Sequence, residues 1–183
     1  MICNKHVPAI FASPIGELEI AGCDKGMHYI KRVDKTVAVV PDLNTKFKLI
    51  ESKTENLPKS VQECIEWFSE YFAGEGADPD KHSVTLSKTP AFCPGIGITE
   101  FFWKVYTTLA SEVKFGSQCS YSQLAELVKN PNASRAVGAA MKNNPFLIVV
   151  PCHRVIKKSG GIGEYSGGGP KLKEWLLKYE SRS

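Results

Sequence analysis

The sequence predicts an α+β protein, with a small N-terminal α/β domain built on an antiparallel sheet and a mainly helical C-terminal domain. Three observations lead to this fold class. The first thirty or so residues alternate as strands do, the apolar spacing becomes helical after residue 59, and a stretch rich in proline and glycine follows at 74–97. Because 183 residues can hold two small domains, we place them at 1–89 and 90–183.

The N-terminal domain is expected to begin with a β-hairpin and to end with a helix. Leu18 and Ile20 share one face of the first strand, residues 24–26 supply the turn, and residues 27–33 form the returning strand. Over residues 59–73 the apolar side chains recur every three or four positions, which is the period of a helix.

The C-terminal domain is expected to contain four helices. The second helix begins with a capping box, in which Ser120 and Gln123 exchange side-chain and backbone hydrogen bonds, and Asn132 is available to cap the third. The second and third helices, joined by a tight turn, form a helix-turn-helix candidate, and an ordinary helical hairpin is the alternative. The four helices cover residues 99–113, residues 121–128, residues 133–141 and a last segment from Pro170.

The charge is unevenly distributed along the chain. Residues 1–89 carry 11 Lys and Arg against 13 Asp and Glu, a net charge of −2, whereas residues 90–183 carry 12 against 6, a net charge of +6. No stretch approaches the roughly 20 apolar residues of a membrane span, and the N-terminus lacks the apolar core of a signal peptide. We expect a soluble, intracellular protein without a membrane partner, in the nucleus of a eukaryote or otherwise in the cytoplasm.

One of the six cysteines, Cys152, differs from the others in its neighbours. The wide spacing of the cysteines and the absence of a secretion signal favour reduced thiols over disulfides. Cys152 follows an apolar run at 146–150, predicted to be buried extended chain, and precedes His153 and Arg154. An imidazole able to take the thiol proton and a nearby guanidinium favour the thiolate, the nucleophilic form of cysteine. The alternative is a small buried structural cysteine.

The residues around Cys152 resemble the O6-alkylguanine-DNA alkyltransferase family. The pattern is Asn-Pro-(six residues)-Cys-His-Arg-Val at 144–155, followed by Tyr-Ser-Gly-Gly at 165–168 and Lys-Glu-Trp-Leu-Leu at 173–177. A looser resemblance covers the N-terminal half through Ser-Pro-Ile-Gly at 13–16. The resemblance implies a DNA repair enzyme that transfers the alkyl group of O6-alkylguanine, and of O4-alkylthymine, to its own cysteine once and irreversibly, without a cofactor.

The resemblance also implies a role for each residue of the reacting group. Cys152 receives the alkyl group, His153 takes the thiol proton through a bridging water, and Glu180 supports the imidazole, as in a catalytic triad. Asn144 ties the preceding turn to the site. Tyr121 promotes extrusion of the damaged nucleotide and hydrogen-bonds the guanine edge.

A pocket for the base is implied in the same way. Tyr165 and Ser166 donate toward the guanine O6, the carbonyls of Val155 and Cys152 accept from the exocyclic amine, and Met141 forms a wall.

Two departures from the family pattern lie in or beside the glycine-rich loop at 160–169. Glu164 replaces a neutral residue and is expected to narrow the range of alkyl groups or to weaken DNA binding. An extra glycine within 167–169 places Glu180 one position further from Tyr165 than in the vertebrate pattern, and a solvated C-terminal glutamate is the alternative for this residue.

The implied partner is double-stranded DNA containing alkylated guanine, bound without sequence preference by a monomer. The second helix of the helix-turn-helix, residues 133–141, enters the minor groove, and its small residues allow the backbone to approach closely. These small residues include Ala133, Ser134 and Gly138. Arg135 fills the gap that the extruded base leaves. An enzyme that reacts with a base in a duplex must extrude it first.

A structural zinc in the N-terminal domain is a further possibility that the resemblance implies. Cys3, Cys23 and His28 match three of its ligands, whereas Lys88 occupies the place of the fourth and a shifted His82 is the replacement. A closed structural zinc site normally has four ligands.

Three other functions are kept as alternatives. A non-catalytic alkyltransferase-like protein would bind lesions without transfer, but such proteins lack the cysteine that is present here as Cys152. A Cys-His hydrolase would need an oxyanion hole and would turn over repeatedly. A helix-turn-helix regulator would bind DNA without chemistry.

Overall fold

The computed structural model describes Cys3 and residues 6–34, 40–73 and 92–181. The chain separates into two compact units, Met1–Gly97 and Ile98–Ser183. The first unit contains an antiparallel sheet and the second is mainly helical, which confirms the predicted α+β class. The domain boundary that the sequence places after residue 89, and most of the stretch at 74–97, lie outside the described residues.

The first unit is built on a four-stranded antiparallel sheet of β1 (Val7–Ala12), β2 (Leu18–Cys23), β3 (Gly26–Arg32) and β4 (Lys48–Ser52). The strand order in the sheet is β3-β2-β1-β4. The predicted hairpin is confirmed as β2 and β3, in which Ile20 pairs with Ile30. β4 was not predicted, because this edge strand is almost wholly exposed and its side chains do not alternate between apolar and polar.

A single amphipathic helix, α1 (Lys59–Tyr71), packs against β2 and β3. It begins where predicted and ends two residues earlier than predicted. Its buried face includes Val61, Cys64 and Phe68, and the ring of Phe68 stacks on that of Phe47 at 5.2 Å. The apolar core of this unit therefore lies between the sheet and α1.

The second unit contains the four predicted helices and a short parallel strand pair. The capping box is confirmed, because the Ser120 hydroxyl accepts from the amide of Gln123 and the Gln123 side chain accepts from the amide of Ser120. No helix in the described ranges is long and apolar enough to cross a membrane. The elements are α2 (Glu100–Glu112), β5 (Cys119–Ser120), α3 (Tyr121–Leu127), α4 (Ser134–Lys142), β6 (Val155–Ile156) and α5 (Gly169–Glu180).

The connection between α3 and α4 differs from the prediction in one detail. A 3₁₀ turn, Pro131–Ala133, leads directly into α4, so that Ala133 occupies the N-cap position and makes no side-chain capping bond. The prediction that Asn132 caps this helix is wrong, because Asn132 lies inside the 3₁₀ turn, one residue before the N-cap. Two short helices joined by a tight connection are present, as predicted.

The apolar run at 146–150 is buried, as predicted, but the prediction of extended chain is wrong. Ile148 has a φ of 67°, and the amide of Val149 donates to the carbonyl of Leu147 at 2.8 Å, so the chain makes a three-residue turn. An apolar run shows that a segment is buried but does not distinguish a strand from a turn. Cys152 therefore begins a 3₁₀ turn, Cys152–Arg154, rather than leaving a strand.

Candidate active site around Cys152

Two tight turns place Cys152 inside the second unit. The turn around Ile148 is followed by a second around Pro151, where the amide of Cys152 donates to the carbonyl of Val150 at 2.8 Å. A positive φ on a β-branched residue such as Ile148 is strained. Strain of this kind concentrates at functional sites, where the surrounding structure holds it. The Cys152 thiol itself is buried.

Asn144 links these turns to the sulfur of Cys152. Its side-chain amide donates to the Val150 carbonyl at 2.9 Å and to the Cys152 Sγ at 3.2 Å. Its side-chain oxygen accepts from the amide of Phe146 at 2.9 Å. Because all these bonds come from one side chain, Asn144 fixes both the backbone before Cys152 and the position of the thiol.

The charges near Cys152 differ from those that the sequence suggested. Burial raises the pKa of the Cys152 thiol, and the hydrogen bond from Asn144 and the positive charge of Lys173 oppose this effect. Arg154, which we expected to favour the thiolate, instead holds the carboxylate of Glu180, with its Nε 2.8 Å from Oε2. The guanidinium also donates to the carbonyl of Val113 at 2.7 Å.

His153, Arg154 and Glu180 form a buried ionic group next to Cys152 in the chain. The His153 Nε2 lies 2.6 Å from the Glu180 Oε1, and the side chains of all three residues are at most 3% exposed. The extra glycine in the loop therefore does not separate Glu180 from His153, and Glu180 is buried rather than a solvated C-terminal residue.

The ionisation of Glu180 determines which nitrogen of His153 carries the proton. Burial raises the pKa of Glu180, but His153 and Arg154 outweigh it and lower this pKa to about 2, so the group is a carboxylate at neutral pH. A carboxylate only accepts hydrogen bonds, so Nε2 of His153 must donate. Burial lowers the pKa of His153, which favours the neutral ring. The buried Nδ1 then carries a lone pair and has no hydrogen-bond partner within the described residues.

Two tyrosines lie in this part of the second unit, Tyr165 beside His153 and Tyr121 near Cys152. The structure places the ring of Tyr165 edge-on to that of His153, with 6.3 Å between their centres. A β-carbon built on Gly138 of α4 would lie 3.9 Å from the ring of Tyr121, and one built on Gly163 would lie 4.0 Å from its hydroxyl. Tyr121 therefore lies between α4 and the glycine-rich loop.

The glycine-rich loop passes close to the turn before Cys152. A β-carbon on Gly167 would overlap Leu147 Cδ1 and lie 2.7 Å from the ring of Tyr165, so no other residue fits there without displacement. Ser166, next to it, is exposed, whereas Val155 is fully buried. Any other residue at 167 would therefore have to displace the side chains of Leu147 and Tyr165.

The helix α4 presents two different faces. Arg135 is exposed, and Ala133, Ser134 and Gly138 are partly exposed. The opposite face is buried and consists of Val137, Ala140 and Met141. A helix with one arginine and several small residues outward is able to lie closely against a nucleic-acid groove.

Comparisons with known proteins cover nearly the whole chain. A model of the 6-O-methylguanine DNA methyltransferase ribonuclease-like domain matches residues 7–79, and a model of the 6-O-methylguanine DNA methyltransferase DNA binding domain matches residues 100–182. The methylated-DNA–protein-cysteine methyltransferase of Cricetulus griseus is 41% identical over 172 residues, which is 93% of this chain and 80% of that protein. The chain belongs to the 6-O-methylguanine DNA methyltransferase family. The family that the residues around Cys152 resemble is thereby confirmed.

Solved structures of the methyltransferase family agree with the fold. Mycobacterium tuberculosis OGT in complex with DNA superposes with a TM-score of 0.67 at 30% identity, covering 94% of this chain and 91% of that chain. The O6-methylguanine-DNA methyltransferase of Pyrococcus kodakaraensis superposes with a TM-score of 0.57 at 24% identity, covering 96% of this chain and 99% of that chain.

Lys173 is a residue of the methyltransferase site that the sequence analysis missed. It is 1% exposed, and its Nζ donates to the carbonyl of Val155 at 2.6 Å. The spacing of Lys173, Leu176 and Glu180 places them on one face of α5, and Leu176 is apolar. That pattern was available in the sequence, but a lysine is so rarely buried that it did not indicate a site.

A second cluster of cysteine and histidine lies in the first unit of the methyltransferase. The ligand atoms of Cys3, Cys23, His28 and Cys93 all lie within 4.8 Å of one another. The sequence predicted the first three of these residues as ligands but not Cys93, because the fourth ligand was expected near residues 82 and 88, which lie outside the described residues.

The geometry of this cluster suits zinc. Tetrahedral zinc with bonds of about 2.3 Å to sulfur keeps two sulfurs about 3.8 Å apart. The sulfurs of Cys3 and Cys23 are 3.9 Å apart, and the His28 Nε2 lies 3.3 Å from the Cys23 sulfur. Cys3 is held near Cys93 by its amide, which donates to the carbonyl of Gly95 at 2.9 Å. Three thiolates and one imidazole form a common set of structural zinc ligands.

Proposed function

We propose that this methyltransferase repairs DNA by moving the alkyl group of O6-alkylguanine, and of O4-alkylthymine, onto Cys152. The observation that carries the proposal is the buried thiol of Cys152, which accepts a hydrogen bond from Asn144. It adjoins His153, whose Nδ1 lone pair is available and whose Nε2 is held by Glu180. A nucleophile, a base and a residue that orients the base are the parts that such a displacement requires.

The transfer is a displacement at the alkyl carbon. The thiol proton of Cys152 passes to Nδ1 of His153 through one bridging water, and the thiolate attacks the carbon. A sulfur–carbon bond forms as the carbon–oxygen bond breaks, and the electron pair of the broken bond returns to guanine. The proton that His153 received then passes to guanine through solvent, so the base leaves neutral and His153 becomes neutral again. No redox change occurs, so no cofactor is consumed. The thioether has no easy reverse reaction, so each chain reacts once.

The charges of Glu180 and Arg154 support the proton transfer. When His153 becomes positive, the Glu180 carboxylate stabilises it at 2.6 Å. Arg154 holds this carboxylate in place and keeps its charge balanced while His153 is neutral. Removal of either group leaves a buried charge without its partner.

The base would be held by groups around the thiol. The hydroxyls of Tyr165 and Ser166 donate toward O6 and help the base to leave neutral. The carbonyls of Val155 and Cys152 accept from the exocyclic amine, and Met141 forms a wall.

The DNA would be bound by residues 90–183, which carry the net charge of +6 and serve as the DNA-binding and transfer domain. In this proposal α4 enters the minor groove of the duplex through Ala133, Ser134 and Gly138. Arg135 occupies the gap that the extruded base leaves in the stacked bases of the duplex, and Tyr121 promotes extrusion of this base. The contacts are to the backbone and do not depend on sequence, and one monomer acts on each lesion. The proposed compartment is that of the DNA, the nucleus in a eukaryote or otherwise the cytoplasm.

We also propose a structural zinc bound by Cys3, Cys23, His28 and Cys93. When bound, the ion would cross-link these residues and stabilise the first unit. It would have no role in the transfer.

The direct test incubates the protein with a duplex that contains O6-methylguanine labelled on the methyl group. The label is expected on the protein, absent from Cys152→Ala and retained by the control Cys119→Ala. A Cys152→Ala protein that still becomes labelled would overturn the proposal. Lesion binding by the wild type without any transfer would instead support the non-catalytic alternative, and continued turnover would support a hydrolase.

Arg135→Ala tests the proposed extrusion of the base. Because extrusion costs a few kcal/mol, we expect transfer from duplex DNA to slow by about tenfold or more, while reaction with free O6-benzylguanine changes little. Lys142→Ala, on the same helix, serves as the control. Equal losses on the duplex and the free base would contradict the role of Arg135.

A further inference from the structure

Tyr106 of α2 is a buried residue that the proposed transfer does not use. It is 1% exposed, and its hydroxyl donates to the carbonyl of Ala140 in α4 at 2.9 Å. A hydroxyl is costly to bury unless it makes a hydrogen bond, so tyrosine in a core usually has a defined partner. The partner here lies in the last turn of α4.

The carbonyl of Ala140 lies where α4 ends. In a continuing α-helix this carbonyl would accept from the amide of Asn144, four residues later. The amide of Asn144 instead donates to the carbonyl of Met141 at 3.4 Å. The last carbonyls of a helix need a donor from outside the helical pattern, and the Tyr106 hydroxyl supplies one to Ala140. Tyr106 therefore takes the place of the Asn144 amide.

The end of α4 determines where the side chain of Asn144 lies. The backbone of Asn143, with φ of −98° and ψ of 13°, has already left the α-helical region. Asn144 follows it out of the helix, and its side chain donates to the Val150 carbonyl at 2.9 Å and to the Cys152 Sγ at 3.2 Å. A helix that continued through Asn144 would change these backbone angles and move the side chain away from the sulfur.

We propose that Tyr106 is a positioning residue of this site, whose hydroxyl ends α4 at Ala140 and thereby holds the Asn144 side chain on the Cys152 thiol. The proposal rests on the proposed function. Without the hydroxyl, the donor that the helical pattern offers to Ala140 is the amide of Asn144, so the helix would extend by one residue. Tyr106 acts through Asn144 and does not itself touch the reacting atoms.

The test measures thiolate formation without DNA in Tyr106→Phe, which keeps the ring and removes only the hydroxyl. Iodoacetamide is reacted with the folded protein over a range of pH, and modification of the Cys152 peptide is followed by mass spectrometry. Asn144→Ala and the double variant are measured in the same way. Tyr71→Phe, which changes a fully buried tyrosine of the first unit, is the matched control.

The ionisable groups near Cys152 keep their charges in Tyr106→Phe. Burial raises the pKa of the Tyr106 phenol, so this group is neutral throughout the test. A shift in the midpoint of Cys152 alkylation therefore reports the hydrogen bond from Asn144, which acts against burial and lowers the pKa of the thiol. The other groups are His153 and Arg154 of the 3₁₀ turn, Tyr121 of α3, Glu164 of the glycine-rich loop, and Lys173 and Glu180 of α5.

We expect the midpoint to rise by about half a pH unit in Tyr106→Phe and by about one unit in Asn144→Ala, so that alkylation at pH 7 slows about threefold and about tenfold. The double variant should match Asn144→Ala, because Tyr106 acts through Asn144. In ¹⁵N NMR, the backbone amide of Asn144 should exchange with solvent about tenfold more slowly in Tyr106→Phe, since it would then donate to Ala140. The control should match the wild type.

An unchanged midpoint in Tyr106→Phe, or a further shift when this change is added to Asn144→Ala, would overturn the proposal. Faster exchange of the Asn144 amide would also overturn it, because a merely structural role would loosen the end of α4. If Asn144→Ala does not fold, the midpoint and the exchange rate in Tyr106→Phe decide. A Tyr106→Phe chain that does not fold would assign the hydroxyl to stability and contradict the proposal.

The same variant separates this proposal from the proposed function. Methyl transfer from the duplex and reaction with free O6-benzylguanine should both slow about threefold in Tyr106→Phe, because the thiolate is common to both reactions. A loss confined to the duplex would place the effect in DNA binding and overturn the proposal. Failure of the wild type to transfer methyl groups would contradict the proposed function instead, independently of the alkylation midpoint.

Discussion

Each compact unit contains a cysteine beside a histidine, and the two groups differ in their neighbours. In Ile98–Ser183 the single thiol of Cys152 receives a hydrogen bond from Asn144 and faces the charge of Lys173, and both effects lower its pKa. In Met1–Gly97 three thiols face one another and His28. Burial and the neighbouring thiols of Cys23 and Cys3 together raise the pKa of Cys93 to about 11.

The neighbours of a buried thiol therefore determine whether it reacts as a thiolate or binds a metal ion. Neighbours that donate hydrogen bonds or carry positive charge stabilise a single thiolate for reaction. Several thiols at short range oppose each other's ionisation until a cation joins them, and this arrangement favours metal binding. Burial alone does not distinguish the two groups, because both contain buried cysteines.

The largest expected change in stability comes from loss of a ligand in the proposed zinc site of Cys3, Cys23, His28 and Cys93. Cys93→Ser removes one of four ligands, and structural zinc contributes on the order of 10 kcal/mol to folding in small domains. We expect zinc near one ion per chain in the wild type, much less in Cys93→Ser, and a clearly lower melting temperature. Cys64→Ala, which lies in the same unit outside the cluster, should keep its zinc. An unchanged zinc content in Cys93→Ser would disprove the assignment of this ligand.

The next effect concerns the ionic group beside Cys152. Glu180→Gln leaves Arg154 buried without its carboxylate, which is expected to destabilise the protein by about 3–5 kcal/mol. It also removes the charge that stabilises protonated His153, so the rate of methyl transfer should fall. Urea unfolding and single-turnover transfer measure the two effects. Glu174→Gln on the exposed face of the same helix is the control, and equal behaviour of the two variants would contradict the account.

The pH dependence of stability follows from the same carboxylate. The pKa of Glu180 is about 2 in the folded protein against an ordinary value of 4.5, so its stabilisation is complete above pH 4.5 and is lost as the pH falls toward 2. The free energy of unfolding should fall by about 3 kcal/mol more in the wild type than in Glu180→Gln across this range. Parallel pH profiles for the two proteins would show that Glu180 is not responsible.

A smaller effect is expected at Gly167. Alanine there would bring its β-carbon into overlap with Leu147 Cδ1 and displace Tyr165 from His153, at a cost of about 1–3 kcal/mol. Transfer should slow with this displacement. Gly161→Ala is the matched control, because its β-carbon would lie 3.5 Å from the nearest atom, an ordinary contact. Normal stability and normal methyl transfer in Gly167→Ala would show that the glycine-rich loop is not held tightly against Leu147.

The sequence predicted the elements whose pattern is local. The hairpin, α1 and the capping box at Ser120 follow from alternation, helical period and turn chemistry, and all are present. The strained turn at Ile148 was missed, because a buried apolar run carries no information on φ. The edge strand β4 was missed because exposure removes the periodic pattern on which the prediction depends.

The residues of the site were predictable where they form a contiguous motif. They were less predictable where tertiary contacts determine the partners of a side chain. Cys152 and His153 stand side by side in the sequence, whereas the fate of the Arg154 guanidinium depends on Glu180, 26 residues further on. Lys173 and Cys93 were missed for the same reason. One is a buried lysine and the other a cysteine beside a proline, and only the folded chain brings each of them to its partners.

The decisive experiment compares the methylation of all six cysteines after reaction of the protein with excess duplex containing O6-methylguanine. Intact-mass and peptide mass spectrometry count and locate the methyl groups. We expect one methyl group per chain, on Cys152, and none on Cys3, Cys23 or Cys93. No further loss of lesion is expected once the protein is consumed. A methyl group on any other cysteine in place of Cys152, or repair that continues beyond one lesion per chain, would contradict it.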